Sequence, residues 1–533
     1  MPNIIRKMED QYAEYLKDES RSVGEAASIS FPKTQAEVLE TMRNCLAKGE
    51  KITVQGSRTG LAASAVPHGG HILNLSRLNH ILGLRYDAPR DNFFVTVEPG
   101  VLLSQLRKAV ADKSFDIKLW NDKSVQTLEK FRAAEWFFTP DPTETSASIG
   151  GMVSCNASGA RTFLFGPTRN YIEALRVILP NGEVLNIRRG RHFAKERKFK
   201  LKTENNEISG DLPSYIMPEV KSAAGYFVHD NMDLIDLFIG AEGTLGVITQ
   251  IEVRLIRLPK AIWGITAFFP NEPSALEYVK ALRNENKKYP WLHRPAAIEF
   301  FNCRALDLLR SQKANNPAFA QIQELKPQYH TAVYTELHGH SVQAEEMPVL
   351  IGGLGDLINF VGGNEADTWV ANNQRDLEKL QFFRHAMPES ANMLIDQRRK
   401  LDPTLTKLGT DMSVPDRYLN TVMEMYNRDL AEADLENVIF GHIGNNHLHV
   451  NILPRNKADY LKGKELYLKW AQTNVANGGS VAAEHGIGKL KTNMLEVMYG
   501  ASGINEMRRL KSLFDPQGLI NCGNMFAPAK EVK

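Results

Sequence analysis

The sequence predicts an α+β protein built from two large units, and three observations carry that reading. The chain has 533 residues, several times what one modest core requires. Its first 260 residues read as alternating short strands and helices broken by many glycine turns. Past Pro259 longer amphipathic helices take over and glycine turns thin out, which sets a boundary near residues 258–262. With 43% hydrophobic and 24% charged residues the composition is that of an ordinary soluble protein, so disorder, collagen and a disulfide scaffold are excluded.

Residues 34–48 place apolar side chains at helical spacing behind Thr34, a capping residue. Ile52–Val54, Ile72–Leu75 and Phe93–Val97 are short β candidates, each followed closely by Gly, Pro or Asn. Arg176 to Ile187 reads as a hairpin, because Asn181-Gly182 supplies the positive φ that a tight turn needs. From Val247 to Leu255 apolar residues recur at every second position, with Thr249 the exception, which predicts a half-buried strand. Beyond the boundary, Ala275–Leu282, Tyr418–Leu430 and Tyr460–Val475 read as amphipathic helices.

Lys+Arg is 64 against Asp+Glu 62, a net charge of +2, which argues against nucleic acid as a partner. The cysteines, Cys45, Cys155, Cys303 and Cys522, lie far apart, which argues against a cysteine zinc site and an iron–sulfur cluster and suits a reducing compartment. The first twenty residues contain no apolar signal-peptide core, and no stretch approaches a membrane span. The expected location is cytoplasmic, with peripheral contact at the inner membrane as the furthest departure. One local exception to the balanced charge is the run 188–202, with eight Lys/Arg and one Glu. It reads first as a solvated surface loop, and second as a landing site for an acidic partner or anionic lipid.

Neither G-x-G-x-x-G nor G-x-x-x-x-G-K-[ST] occurs, which lowers the odds of a Rossmann dinucleotide fold or a P-loop. Instead Gly56-Ser57-Arg58-Thr59-Gly60 follows a β candidate, as a plain turn or a nest for phosphate. Pro140-Asp141-Pro142-Thr143 and Ser148 to Gly159 then pack small and hydroxyl residues at a density suited to a flat polar ligand. A third segment, Gly240 to Gly246, precedes the alternating strand. Three such segments in one α+β domain favour a large polar cofactor.

In order and spacing these segments, with Lys221-x-x-x-Gly225-Tyr226, resemble the PCMH-type FAD-binding domain of the vanillyl-alcohol-oxidase superfamily. The likeness runs from about residue 28 to the C-terminus. It implies an FAD-binding domain of two α/β subdomains over 28–260 and a substrate cap with an antiparallel sheet flanked by helices over 261–485. Residues 1–27 would be an N-terminal extension, and 486–533 a segment returning to the flavin domain. The resemblance assigns Gly56, Ser57, Arg58, Thr59 and Gly60 to the pyrophosphate. It puts Pro140, Thr143, Gly150, Gly151, Ser154, Asn156, Ala157 and Gly159 along the flavin and ribityl chain, and Glu242, Gly243, Gly246 and Val247 on the adenine side. Covalent members often carry a His in the pyrophosphate loop; this loop has none, so the resemblance implies non-covalent FAD.

The densest chemistry lies in Gly441-His442-Ile443-Gly444-Asn445-Asn446-His447-Leu448-His449-Val450-Asn451, followed by Glu484-His485-Gly486. Strand alternation turns His447, His449 and Asn451 one way and Leu448, Val450 and Ile452 the other. The Gly444–Asn446 stretch suits a turn that folds His442 back towards His449. Imidazoles plus a carboxylate suit Zn²⁺ or another divalent ion; the spacing alone serves core histidines equally well. Both motifs resemble the FAD-linked D-2-hydroxyacid dehydrogenases, the D-lactate, glycolate and D-2-hydroxyglutarate group. That resemblance implies His442, His449 and Glu484 as metal ligands, Zn²⁺ first among candidates, and His485 as catalytic base. Arg384 and Lys407 would contact the substrate carboxylate, and Asn521 the flavin. Asn445, Asn446 and His447 stand where the group has Asp, Gly and Asn.

The implied activity is oxidation of a D-2-hydroxy acid, D-lactate foremost, by hydride transfer to flavin N5. Because the chain has no cysteine cluster, electrons would leave for an external acceptor: a quinone, a cytochrome or an electron-transfer flavoprotein. The alternatives are D-2-hydroxyglutarate or glycolate as substrate, an O₂-using alcohol or sugar oxidase, and a flavin- and metal-binding protein without turnover. A homodimer is among the open oligomeric states.

Overall fold

Thr34 caps the helix Gln35–Leu46: its hydroxyl accepts from the Glu37 N–H at 3.2 Å. In this computed structural model, which describes residues 4–284, 287–340 and 342–527, the helix turns Val38, Met42 and Cys45 inward. They pack with Ile52 and Leu73 of the first sheet, whose strands Ser28–Ser30, His71–Asn74 and Ile52–Gln55 are parallel. Arg6–Lys7 closes its edge antiparallel to Ser28–Ser30.

The second sheet is antiparallel, ordered Ile81–Asp87, Asn92–Val97, Val247–Arg254, Ile172–Ile178, Val184–Arg188. Val247–Arg254 is thus its central strand and is covered on both faces rather than half-buried. Val247, Ile251 and Val253 enter the core. The opposite face is closed by Glu252, which accepts from Arg85 at 2.9 Å and Arg188 at 2.6 Å. The hairpin forms, but its turn is not a two-residue Asn-Gly turn. Gly182 N–H donates to the Leu179 carbonyl, and only Gly182 takes a positive φ, 83°. Pro180 and Asn181 occupy the centre of that turn, and Gly182 supplies the left-handed residue after it.

The basic run is not one solvated loop. Arg188 is tied to Glu252, Arg189 to Asp236 at 2.8 Å and Arg197 to Asp230 at 2.5 Å. Lys198–Lys202 pairs with Glu207–Asp211 as a separate two-stranded ribbon, with Lys198, Lys200 and Lys202 exposed and Phe199 and Leu201 buried.

Ala261–Phe269 opens the third sheet, eight antiparallel strands ordered Trp369–Ala371, Ala261–Phe269, Thr331–Gly339, Ala297–Phe301, Asn437–His442, His447–Ile452, Leu408–Gly409, with Met412–Ser413 also paired to His447–Ile452. Helices Glu272–Arg283, Leu419–Glu432 and Lys457–Ala476 overlap the three helical readings. Helices Cys303–Asn315 and Gln374–Arg399 bury Leu306, Leu309, Leu380 and Phe383 in a shared apolar cluster with Phe301 and Tyr334 of the sheet. The larger cluster continues from the second sheet into the third through residues such as Ile251, Phe300 and Ile439. The two are therefore joined by one apolar core.

After the helix Thr492–Phe514 the chain returns to the first sheet. Ile520 bridges Ile52, and Asn521 Oδ1 accepts from the Val54 N–H at 2.8 Å. No helix among the described residues is long and apolar enough to cross a membrane. The architecture is α+β, with no barrel among the described residues.

Candidate active site

The glycine-rich segments meet at one cleft. It is lined by Gly56, Ser57, Arg58, Thr59, Gly60, Thr143, Gly150, Gly151, Ser154, Ala157, Glu242, Gly243, Gly246 and Asn521, and also by Glu484 and His485. The first sheet delivers the 56–60 loop, and Ser148, which caps the short helix Ile149–Ser154, faces it across the cleft. A Cβ on Gly56 would fall 2.2 Å from Ser148 Oγ, so the two walls approach as closely as glycine allows. At Gly60 an added Cβ meets nothing within 4 Å, the open side of the same loop.

The donor set fits an FAD pyrophosphate. Arg58 Nη1 is buried without a hydrogen-bond partner, its guanidinium lies over the Tyr15 ring at 4.1 Å with Nη2 3.6 Å from Glu14 Oε2, and Ser57 and Thr59 line the cleft with it.

Pro140, Asn156, Gly159 and Val247, expected at the cofactor, do not line the cleft. The Pro140 carbonyl accepts from Arg107, and Asn156 Oδ1 accepts from the Arg169 N–H at 3.0 Å. Gly159 is required by backbone packing, since a Cβ there would sit 1.8 Å from the Asp141 carbonyl oxygen. Val247 belongs to the core between the helix Gln35–Leu46 and the first sheet. These residues serve the scaffold behind the cleft, where small size or a polar edge is needed for internal reasons. The Glu242 carboxylate also faces protein: it accepts from the N–H groups of Ile487 and Gly488 at 2.7 and 2.8 Å and from Ser64 Oγ at 3.0 Å. It thereby fastens the chain after His485 to the loop that carries Ser64.

The histidine segment is a hairpin. Strands Asn437–His442 and His447–Ile452 pair His442 with His447 and Phe440 with His449, and Asn446 turns the corner at φ 49°. Arg283 donates to the Ile443 carbonyl and to Asn446 Oδ1, bracing the turn from the helix Glu272–Arg283. Among the described residues His442, His447, His449 and Glu484 form the cluster able to hold a metal, with one ligand atom of each within 4.8 Å of the others. His442 Nδ1 faces Glu299 Oε1 at 2.7 Å, and His449 Nδ1 donates to the Thr410 carbonyl at 3.0 Å. With those bonds holding the Nδ1 sides, both Nε2 atoms turn towards Glu484 Oε1, at 3.3 and 3.5 Å. Two imidazoles oriented from behind and one carboxylate oxygen are the donor set of a divalent ion, so the residues fit one.

Burial opposes charge on His442, yet the Glu299 and Glu484 carboxylates outweigh it and raise its pKa to about 9. Burial likewise opposes charge on Glu484, and Lys221, His442 and His447 hold its carboxyl well below the usual range.

His485 is 26% exposed towards the cleft, with Nδ1 3.5 Å from Asp411 Oδ2 and Nε2 3.5 Å from Glu484 Oε1. Fully buried Asp411 organises this corner. It accepts from the backbone N–H of Glu484 at 3.1 Å and of His485 at 3.0 Å, and from Lys491 Nζ at 2.7 Å. Arg384 is buried beside Glu299 at 3.7 Å, with its guanidinium 5.1 Å from the Tyr334 ring centre and Nε without a partner.

Lys407 is not brought to this group. Leu408 pairs with Ile452 and Gly409 with Asn451, so Lys407 lies opposite Leu453, four strand positions or about 13 Å from His449. Burial and Arg21 lower its pKa to about 8.

Lys221, Glu299, Asp411 and His447 are the site residues that sequence reasoning did not assign. Glu299 carried a usable signal, a lone carboxylate in the otherwise apolar strand Ala297–Phe301.

Comparison with known proteins follows the same division. The family described as "FAD linked oxidases, C-terminal domain" matches residues 258–525, and the family "FAD binding domain" matches 26–128 and 123–188. Over 505 residues the chain is 26% identical to the glycolate oxidase subunit GlcD of Bacillus subtilis (strain 168), covering 94% of this chain and 89% of that protein. It is 26% identical to a D-2-hydroxyglutarate dehydrogenase of Stutzerimonas stutzeri (strain A1501), covering 99% and 97%, and 25% identical to a D-lactate dehydrogenase of Anaerostipes hadrus, covering 97% and 91%. A solved alkyldihydroxyacetonephosphate synthase shares the fold, with a TM-score of 0.64 at 14% identity over 98% of this chain and 82% of that one.

Proposed function

This chain belongs to the FAD-linked oxidases and is an FAD-dependent oxidoreductase acting on CH–OH groups; from that premise we propose that it oxidises a D-2-hydroxy acid, D-lactate first among candidates, to the 2-oxo acid. The observation that carries the proposal is that Glu484 and His485 line the same cleft as the Gly56–Gly60 and Gly150–Ser154 segments. Relatives named for D-lactate, D-2-hydroxyglutarate and glycolate support the substrate class.

When bound, FAD would supply the hydride acceptor, and a divalent ion, which His442, His449 and Glu484 would hold, would supply Lewis-acid chemistry. The chain's own residues do the rest. Arg384, with a free buried Nε, takes the substrate carboxylate as a charge-assisted pair and fixes which face of the Cα is presented. His485 accepts the hydroxyl proton at Nε2, because its Nδ1 side faces Asp411. Asp411 also grips the peptide N–H groups of Glu484 and His485, so ligand and base move as one unit. Electrons then leave for an external acceptor.

The test is anaerobic mixing of the purified flavoprotein with D-lactate, D-2-hydroxyglutarate and glycolate, with metal analysis of the same sample. Bleaching of the flavin band by one of them supports the reading and names the substrate. No bleaching by any of them overturns it, and steady peroxide production in air would point to an oxidase instead.

A further inference from the structure

The two oxygens of Glu484 face different neighbours. Oε1 looks towards the Nε2 atoms of His442, His449 and His485 at 3.3, 3.5 and 3.5 Å. Oε2 accepts from Lys221 Nζ at 2.6 Å and from Ser158 Oγ at 3.3 Å, and His447 Nδ1 lies 3.8 Å away. The Lys221 side chain is 4% exposed, so its ammonium is committed to this place.

His447 stands behind it. An ammonium has only hydrogens to give, so its 3.2 Å contact with His447 Nδ1 makes that nitrogen the acceptor. The ring proton is then on Nε2, 2.9 Å from Asp411 Oδ1. The lone pair that His447 could have offered a metal is already occupied.

Resting on the metal reading above, we infer that Lys221 is a resident cation of the site, parked between Glu484 Oε2 and His447, so that an entering divalent ion meets His442, His449 and Glu484 Oε1 while His447 is not a ligand. The consequence is an open centre. Three protein ligands leave positions for the hydroxyl and carboxylate oxygens of a substrate, whereas a third imidazole would give the closed four-ligand set of structural sites. Lys221 also offsets the Glu484 charge, which weakens the hold on the ion and leaves a less negative site for an anionic substrate.

The test uses the FAD-loaded protein stripped of metal by chelation and titrated with Co²⁺, read by calorimetry and by X-ray absorption at the cobalt edge. In the wild type the absorption fine structure is expected to count two imidazoles. His447→Asn is expected to keep that count and bind within about threefold. Lys221→Met removes a positive charge next to a ligand carboxylate and is expected to bind Co²⁺ at least about tenfold tighter. His447→Gln and Lys221→Gln serve as second variants, and an unchanged flavin spectrum certifies the fold of each.

A loss of one imidazole and of tenfold affinity in His447→Asn or His447→Gln makes His447 a ligand and overturns the inference, with the metal reading intact. If the wild type binds no Co²⁺ but Lys221→Met does, the metal reading falls and the resident cation stands. If neither binds, both fall.

Discussion

Replacing Asp411 by Asn is the sharpest probe of how the site is held. The change conserves shape but not charge. Asp411 Oδ1 receives the Glu484 N–H and lies 2.9 Å from His447, while Oδ2 receives the His485 N–H and the Lys491 ammonium. Burial works against this carboxylate, and His485, Lys491 and His447 together hold its pKa well below the usual range. An amide can turn its oxygen to one side only, so its NH₂ must face donors on the other. Removing one member of a buried ion pair costs about 3–5 kcal/mol, because the Lys491 charge is left uncompensated. Equilibrium urea unfolding followed by tryptophan fluorescence and flavin release measures that loss. The reductive half-reaction, in stopped flow with the substrate found above, is expected to slow about 10²-fold or more as His485 loses its orienting partner. The double variant Asp411→Asn/Lys491→Met separates the two effects. It removes the stranded ammonium and should regain at least half of the lost stability while leaving the rate low. A cost below about 1 kcal/mol in the single variant, or no recovery in the double one, would refute the argument that the Asp411–Lys491 pair is what the corner depends on.

Five other outcomes follow from the geometry. Arg384→Gln should lower kcat/KM about 10- to 100-fold, mostly through KM, since it removes a charge-assisted pair with the substrate carboxylate; an unchanged KM removes that role. Gly159→Ala should destabilise by about 1–3 kcal/mol through its clash with the Asp141 carbonyl. Gly60→Ala, where a Cβ meets only open space, should leave stability unchanged yet raise the FAD dissociation constant roughly 5- to 100-fold; unaltered FAD binding would displace the cofactor from that loop. Burial lowers the His71 pKa to about 4, so the folded chain favours the neutral ring; its contribution is whole above pH 6.5 and is lost as pH falls from 6.5 towards 4, about 3 kcal/mol in all. Parallel pH–stability profiles for the wild type and His71→Gln would contradict this. Dialysis against a chelator should slow flavin reduction by substrate while leaving the bound-flavin spectrum intact, and an unslowed rate counts against the metal.

Local physics was legible in the sequence; partnership across the chain was not. Thr34 ahead of an apolar stripe, and the alternation from His447 to Ile452, each depend on neighbours a few residues apart, so period and capping chemistry suffice to read them. The central position of Val247–Arg254 depends on Arg85 and Arg188 arriving to cover Glu252, which no local pattern encodes. The same holds for the site. His442 and His449 are seven residues apart, but Lys221 and Glu484 are separated by 263 and Asp411 and Lys491 by 80. Lys407, placed by resemblance at the substrate carboxylate, is carried away from the histidines by strand register, which local sequence does not encode. Pro140, Asn156, Gly159 and Val247 stand behind the cleft lining, since small and polar residues serve tight backbone packing as readily as ligand contact.

The stitching of residues 520–525 has a bearing on biosynthesis. Asn521 holds Ile52, Val54 and Glu242, Asn524 holds Ser64 and Glu242, and Met525 donates to the Gly488 carbonyl. Chains are made from the N-terminus, and domains generally fold as they emerge. Here the strand Ile52–Gln55 and the loop at Ser64 gain these contacts only once residues 520–525 have been made. A nascent chain that has not reached residue 520 therefore lacks this seal on the cleft.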